Sequence, residues 1–166
     1  MDSTRAIEIR SGIRIEFITI IWMVIEMAVA IGAGIAARSI LLTAFGIDSL
    51  IELISGGILL WRLQVESQGG DLESVARAEH RAAWVVAISL GLLSAYVFIS
   101  SVYGLIARSK PEGSIIGIGV SAAAILIMPY LAVTKRRIAK RIKSEALAGD
   151  ATNSIACAYM AGTVLV

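Results

Sequence analysis

An all-α, polytopic transmembrane bundle is the fold class this sequence predicts, and three observations predict it. The chain is 57% hydrophobic with a mean hydropathy of +0.81, well above the share usual in soluble domains. Its apolar residues gather into runs that each approach the roughly 20 residues a helical span needs. No stretch alternates with the period of two that marks a strand.

The first run, Ile15 to Ala37, is too long for the apolar core of a signal peptide, carries Glu26, and is followed directly by another span, so it reads as a retained helix. The second, Ile40 to Leu60, holds Asp48 and Glu52. A segment from Glu66 to Arg81 with Gly69 and Gly70 reads as a solvated turn, although its Asp71, Glu73, Glu79 and His80 also suit collection of metal ions at an entrance. The third and fourth runs are Ala82 to Ala107 and Ser114 to Thr134, the latter with Pro129 near its end. Basic residues from Lys135 to Lys143 then read as a loop touching anionic lipid, and the fifth run extends from Ala146 to Val166. Gly32, Gly34, Ser55, Gly56, Gly57, Gly117 and Gly119 are small enough to let helices pack closely, and none belongs to a phosphate-cradling pattern.

Lys and Arg favour the cytoplasmic side of a membrane. A cytoplasmic N-terminus, in the cytoplasmic membrane, places all but Arg38, Arg108 and Lys110 of the 15 basic residues inside. The net charge of +2 therefore records topology and gives no support to nucleic-acid binding. Cys157 is the only cysteine, which excludes an internal disulfide.

Two pairs of polar residues are spaced by four where lipid-facing helices carry none: Asp48 with Glu52, and Asn153 with Cys157. Four residues turn an α-helix by about 400°, so each pair leaves one face. A carboxylate at the bilayer centre costs roughly 2.5 to 3.5 kcal/mol on insertion scales, and no predicted span contains a Lys or Arg to offset it. Depth is consistent with one shared site. On antiparallel spans Asp48 and Glu52 lie roughly 14 to 20 Å below the outer surface, and Asn153 and Cys157 roughly 12 to 18 Å above the inner one.

Two carboxylates, an amide oxygen and a thiolate suit a divalent transition metal, with tetrahedral Zn²⁺ first and Cd²⁺, Co²⁺, Fe²⁺ or Mn²⁺ also compatible. Mg²⁺ is ill matched to a thiol. Plainer readings exist for the second pair, since cysteine often serves as a small buried hydrophobe and asparagine as an interhelical hydrogen-bonding residue. Glu26 and Asp150 lie where they would widen the acidic site or support it from behind. An enzyme is disfavoured, because Cys157 has no histidine in its span.

Ser39 to Arg62, SILLTAFGIDSLIELISGGILLWR, resembles the second transmembrane helix of the cation diffusion facilitators, the cation efflux family. KRRIAKRIKSEALAGDATNSIACAYM, from Lys135, resembles that family's basic loop and fifth helix, with Gly149 in place of the usual alanine in the Ser-x-Ala-Leu-x-Ala-Asp pattern. The likeness runs from about Ile20 onward and includes Pro129 and the Glu79, His80 pair. It implies a metal site between helices two and five. Asp48 and Glu52 match the acidic motif, with Glu for the commoner Asp, while Asn153 and Cys157 occupy the positions usually held by His and Asp. It also implies alternating access with proton antiport, a homodimer, and five spans present of an expected six, the sixth helix and cytosolic C-terminal domain being absent from these 166 residues. The function expected is divalent-metal efflux, and the alternative is a membrane metal-binding or scaffold protein of the same fold.

Overall fold

The computed structural model describes residues 3–107 and 114–165. Five helices follow one another, α1 (Ser3–Ala36), α2 (Ile40–Ser67), α3 (Leu72–Ala107), α4 (Ile115–Ile142) and α5 (Glu145–Leu165), with no strand among the described residues. Short turns make α1 and α2, α2 and α3, and α4 and α5 antiparallel. α1, α2, α5 and α4 close a ring in which each packs on the next, and α3 leans on α2 and α5 from outside. The N-terminal end of the bundle thus gathers the starts of α1, α3 and α5 and the ends of α2 and α4.

Surface and interior are inverted relative to a water-soluble bundle. Phe17, Ile18, Ile21 and Ile25 of α1 and Leu126 and Val133 of α4 face outward, while Glu16, Glu26, Asp48, Glu52, Lys135 and Asp150 are 0% exposed. Lipid tails solvate such a surface, and polar residues then become the groups that join helices. α1 to α4 are long and apolar enough to cross a membrane. α5, also predicted to span, has the length at 21 residues but is less apolar, because it carries Asp150, Asn153 and Ser154. Those three are buried against the other helices.

The helices outrun the predicted apolar runs, mostly at the N-terminal end. α1 has 34 residues, about 50 Å at 1.5 Å per residue, against a hydrocarbon core of about 30 Å. Its extra turns and those of its neighbours are held by ion pairs. Arg62, only 2% exposed, reaches Glu66 at 2.8 Å and Glu79 at 2.5 Å. Arg5 meets Glu66 at 2.5 Å, and Arg141 pairs with Glu8.

Two segments expected as loops are therefore helical. Between Glu66 and Arg81 only Gln68–Asp71 lie outside a helix. Asp71 accepts from the Ser74 amide at 3.1 Å to start α3, and the Ser74 hydroxyl and amide hold its carboxyl below the usual carboxylate range. Glu79 accepts from Ser144 Oγ at 2.9 Å and from the Ala146 amide at 2.8 Å, which fixes the start of α5, and His80 Nε2 accepts from Trp84 Nε1 at 3.1 Å. Asp71 and Glu79 are thus engaged in holding the helix ends, and His80 in a bond within α3. The cluster from Lys135 to Lys143 likewise continues α4 to Ile142, with Lys143 in the left-handed region at φ 55°. Arg108 and Lys110 of the topology argument lie outside the described residues.

Close packing uses some of the small residues and not others. A Cβ on Gly34 would stand 2.6 Å from the Thr43 amide nitrogen, and one on Gly117 2.5 Å from Leu42 Cδ2. Gly149 leaves room for Val86 of α3, which a Cβ would meet at 3.0 Å. Gly32, Gly57 and Gly119, expected to act similarly, face open space. At Gly46 a Cβ would lie 2.6 Å from Ile31 Cγ1 and 2.9 Å from its amide nitrogen. Gly46→Ala is expected to destabilise the α1–α2 contact by about 1–3 kcal/mol. Gly57→Ala, a helical position with free space, is expected to be neutral or to stabilise by up to about 1 kcal/mol. Thermal unfolding of the purified protein in detergent measures both.

Candidate metal site

A stripe spaced alternately by four and three residues runs down α2: Asp48, Glu52, Ser55, Leu59, Arg62 and Glu66, every one buried. That spacing keeps one face turned toward neighbouring helices. Only Leu59 interrupts its polar character. On α5 the buried residues Asp150, Asn153 and Cys157 form the matching face.

Two cross-links align these antiparallel faces. At one level Ser55 Oγ donates to Asp150 Oδ1 at 3.3 Å. At the other, Glu26 of α1 accepts from Ser49 Oγ at 2.7 Å and from Cys157 Sγ at 3.3 Å, with Trp22 Nε1 adding a third bond at 2.6 Å. Glu52 on α2 and Asn153 on α5 lie between the two levels, and Asp48 beside the second. Glu52 stands near enough to Asp48, Asp150, Glu26 and Lys135 for their charges to interact, and Cys157 has Glu52, Glu26 and Asp48 as charged neighbours.

The side chains at the middle of this arrangement lack hydrogen-bond partners among the described residues. Both oxygens of Asp48, both of Glu52, and the amide oxygen and nitrogen of Asn153 are buried without a hydrogen-bond partner. Orphaned buried polar atoms cost about 1–3 kcal/mol each, more when charged, so six in one place are a local cost to stability. The groups do not form a coordination shell as they stand. Among the described residues, no three or more His, Cys, Asp or Glu side chains are grouped so as to hold a metal ion.

Residues 17–166 match the family model of the cation efflux transmembrane domain. The chain belongs to the cation efflux family. No solved structure matches it. Membership makes the chain a membrane protein of a transporter family, not an enzyme family, with divalent metal cations as the cargo class. The resemblance drawn from α2 and α5 is thereby borne out at the level of family.

Within this cation efflux domain, the structure adds two residues to the interior that sequence reasoning missed. Lys135 of α4 is fully buried, bonds Asp150, and approaches Glu16 of α1 at 3.1 Å. The sequence places it at the head of a basic surface cluster just beyond the fourth run, whereas the structure turns it inward onto Asp150 and Glu16. Asp48, Glu52 and Glu26 have no ion-pair partner among the described residues. A signal for Lys135 was present: Met128, Leu131, Lys135, Ile138 and Ile142 share one buried face of α4 at helical spacing. Glu16 stood unremarked at the edge of the first run.

Because Asp48 and Glu52 have no donors to lose, Asp48→Asn and Glu52→Gln are each expected to leave the metal-free melting temperature unchanged or to raise it. Arg62→Ala, which leaves Glu66 with Arg5 alone and Glu79 with only the Ser144 and Ala146 donors, is expected to cost about 1–3 kcal/mol. Melting curves of metal-free protein in detergent separate the two classes.

Proposed function

We propose that this chain carries divalent transition-metal ions out of the cytoplasm, binding them between α2 and α5 through Asp48, Glu52, Asn153 and Cys157. The observation that carries the reading is the set of buried, partnerless oxygens on Asp48, Glu52 and Asn153. A cation entering between them would relieve like-charge repulsion and satisfy those oxygens at once. The thiol beside them favours Zn²⁺, with Cd²⁺, Co²⁺, Fe²⁺ and Mn²⁺ compatible. Glu26 and Asp150 support the site from behind, Glu26 by holding Cys157 and Asp150 by fixing α5 against Ser55.

Proton antiport follows the same logic, because carboxylates and a thiol that release metal inside a bundle regain neutrality by taking up protons. Alternation of access suits a site at the interface of packed helices near the midplane. A cytoplasmic N-terminus accords with the basic residues at the N-terminal end, and a homodimer accords with the family resemblance.

A second reading, a metal-binding or scaffold protein without turnover, is favoured by one observation: the candidate ligands are not drawn together into a shell. Zn²⁺ flux into proteoliposomes under a pH gradient decides between them. The wild type is expected to give flux that depends on the gradient, and Asp48→Ala to reduce it about tenfold or more, the equivalent of about 1.4 kcal/mol in the rate-limiting step. Zn²⁺ binding without flux in the wild type would favour the scaffold.

A further inference from the structure

Polar groups in the four-helix ring occur at two levels. The deeper one contains Glu26, Ser49 and Cys157 with Asp48 beside them, and Glu52 and Asn153 lie between the two levels. The other is displaced toward the N-terminal end on three of the four helices: Glu16 is ten residues from Glu26 on α1, Ser55 six from Ser49 on α2, and Asp150 seven from Cys157 on α5. On α1 that displacement amounts to about 15 Å.

Each helix of the ring contributes to this second level. Lys135 of α4 sits between Glu16 of α1 and Asp150 of α5, and Asp150 accepts from Ser55 of α2. Gly56 leaves the room that the Glu16 carboxylate occupies, since a Cβ there would lie 2.8 Å from Glu16 Oε1. All of these side chains are 0% exposed. Nearer still to the N-terminal end, Leu59, Leu63, Ile9, Ile142 and Leu147 fill the interior. Between that apolar layer and Asp48 and Glu52, the Lys135 ammonium is the charged group that a cation moving along the ring axis has to pass. Held between two carboxylates, it occupies the oxygens that an incoming divalent ion would otherwise bind, and the ion pairs tie α1 and α5 to α4.

We infer that Lys135 is a tethered cation that closes the passage between the N-terminal end and the candidate metal site. Opening that side requires the ammonium to leave the Glu16–Asp150 pair, which then presents two carboxylates and the Ser55 hydroxyl to the incoming ion. The position of the lock, one helical turn from Glu52 and Asn153, couples it to the site through α2 and α5 without placing Lys135 among the ligands. This deepens the transport reading and rests on it for the identity of the passing ion, but the lock itself is measurable without any metal.

Cys157, the only cysteine, lies beyond the lock and is fully buried, so its reaction with a membrane-impermeant maleimide reports whether the passage is open. The protein is placed in liposomes and the reagent added, without metal, on the side that carries Arg5. Wild type and Lys135→Arg, which keeps the cation, are expected to label slowly and alike. Lys135→Met combined with Glu16→Gln removes the ion pair without stranding a charge at Glu16 and is expected to label about tenfold faster. Ser55→Ala, which removes one hydroxyl and leaves every charge in place, is expected to label about two- to threefold faster and guards against a double variant that fails to fold. Wild-type rates in both Ser55→Ala and the double variant, each eluting as folded protein, would overturn the lock, as would Lys135→Arg labelling as fast as the double variant. Protection of Cys157 by added Cd²⁺ is read separately in the same assay. Faster labelling without Cd²⁺ protection would leave the lock standing and remove the metal site, and protection without any change in rate would do the reverse.

Discussion

Unbalanced charge inside the bundle is the constraint on which the rest of this structure depends. Glu16, Glu26, Asp48, Glu52 and Asp150 are all buried among the helices, and among the described residues Lys135 is the one ammonium beside them. Lys135 offsets a single negative charge of the Glu16–Asp150 pair. Protons or a bound cation must supply the remaining balance, because ionised carboxylates left alone in a low-dielectric interior cost several kcal/mol each. A protein that exchanges protons for metal ions has a use for such a deficit. A protein held together only by packing does not.

The fold tolerates the deficit by separating stability from function along the helices. Toward the N-terminal end, Arg62 is paired with Glu66 and Glu79, Arg5 with Glu66, and Glu79 caps α5 through Ser144 and Ala146. Those ion pairs and hydrogen bonds fix how α1, α2, α3 and α5 meet. Deeper in the ring the hydrogen-bond donors run out, and the acceptors on Asp48, Glu52 and Asn153 remain open. Gly34, Gly46 and Gly117 bring backbones close enough elsewhere for dispersion to hold α1, α2 and α4 together without a water-driven hydrophobic term.

The helical class was legible because five apolar runs of span length leave no room for another architecture, and α2 and α5 carried enough pattern to recognise the family. The ends of the helices were not legible from hydropathy. Polar turns such as Ser3 to Arg14 and Lys135 to Ile142 are held by partners distant in sequence, as Arg141 is by Glu8. Lys135 was misplaced for the same reason. A lysine that opens a basic cluster has the composition of a loop, and only its register with Met128, Leu131 and Ile138 points it inward. Asp48 and Glu52 were conspicuous because a charge in an apolar run needs an explanation, whereas Glu16, equally buried, lay close enough to the end of its run to pass as interfacial.

The deficit of positive charge around α2 is tested most directly by counting the metal ions that purified protein retains. Equilibrium dialysis against Zn²⁺ at neutral pH would compare wild type with Asp48→Asn combined with Glu52→Gln, both checked for native elution. The account predicts about one interior ion per chain in the wild type, lost in the neutralised variant. Equal retention by the two proteins would contradict it and would place any metal this protein binds somewhere other than between α2 and α5.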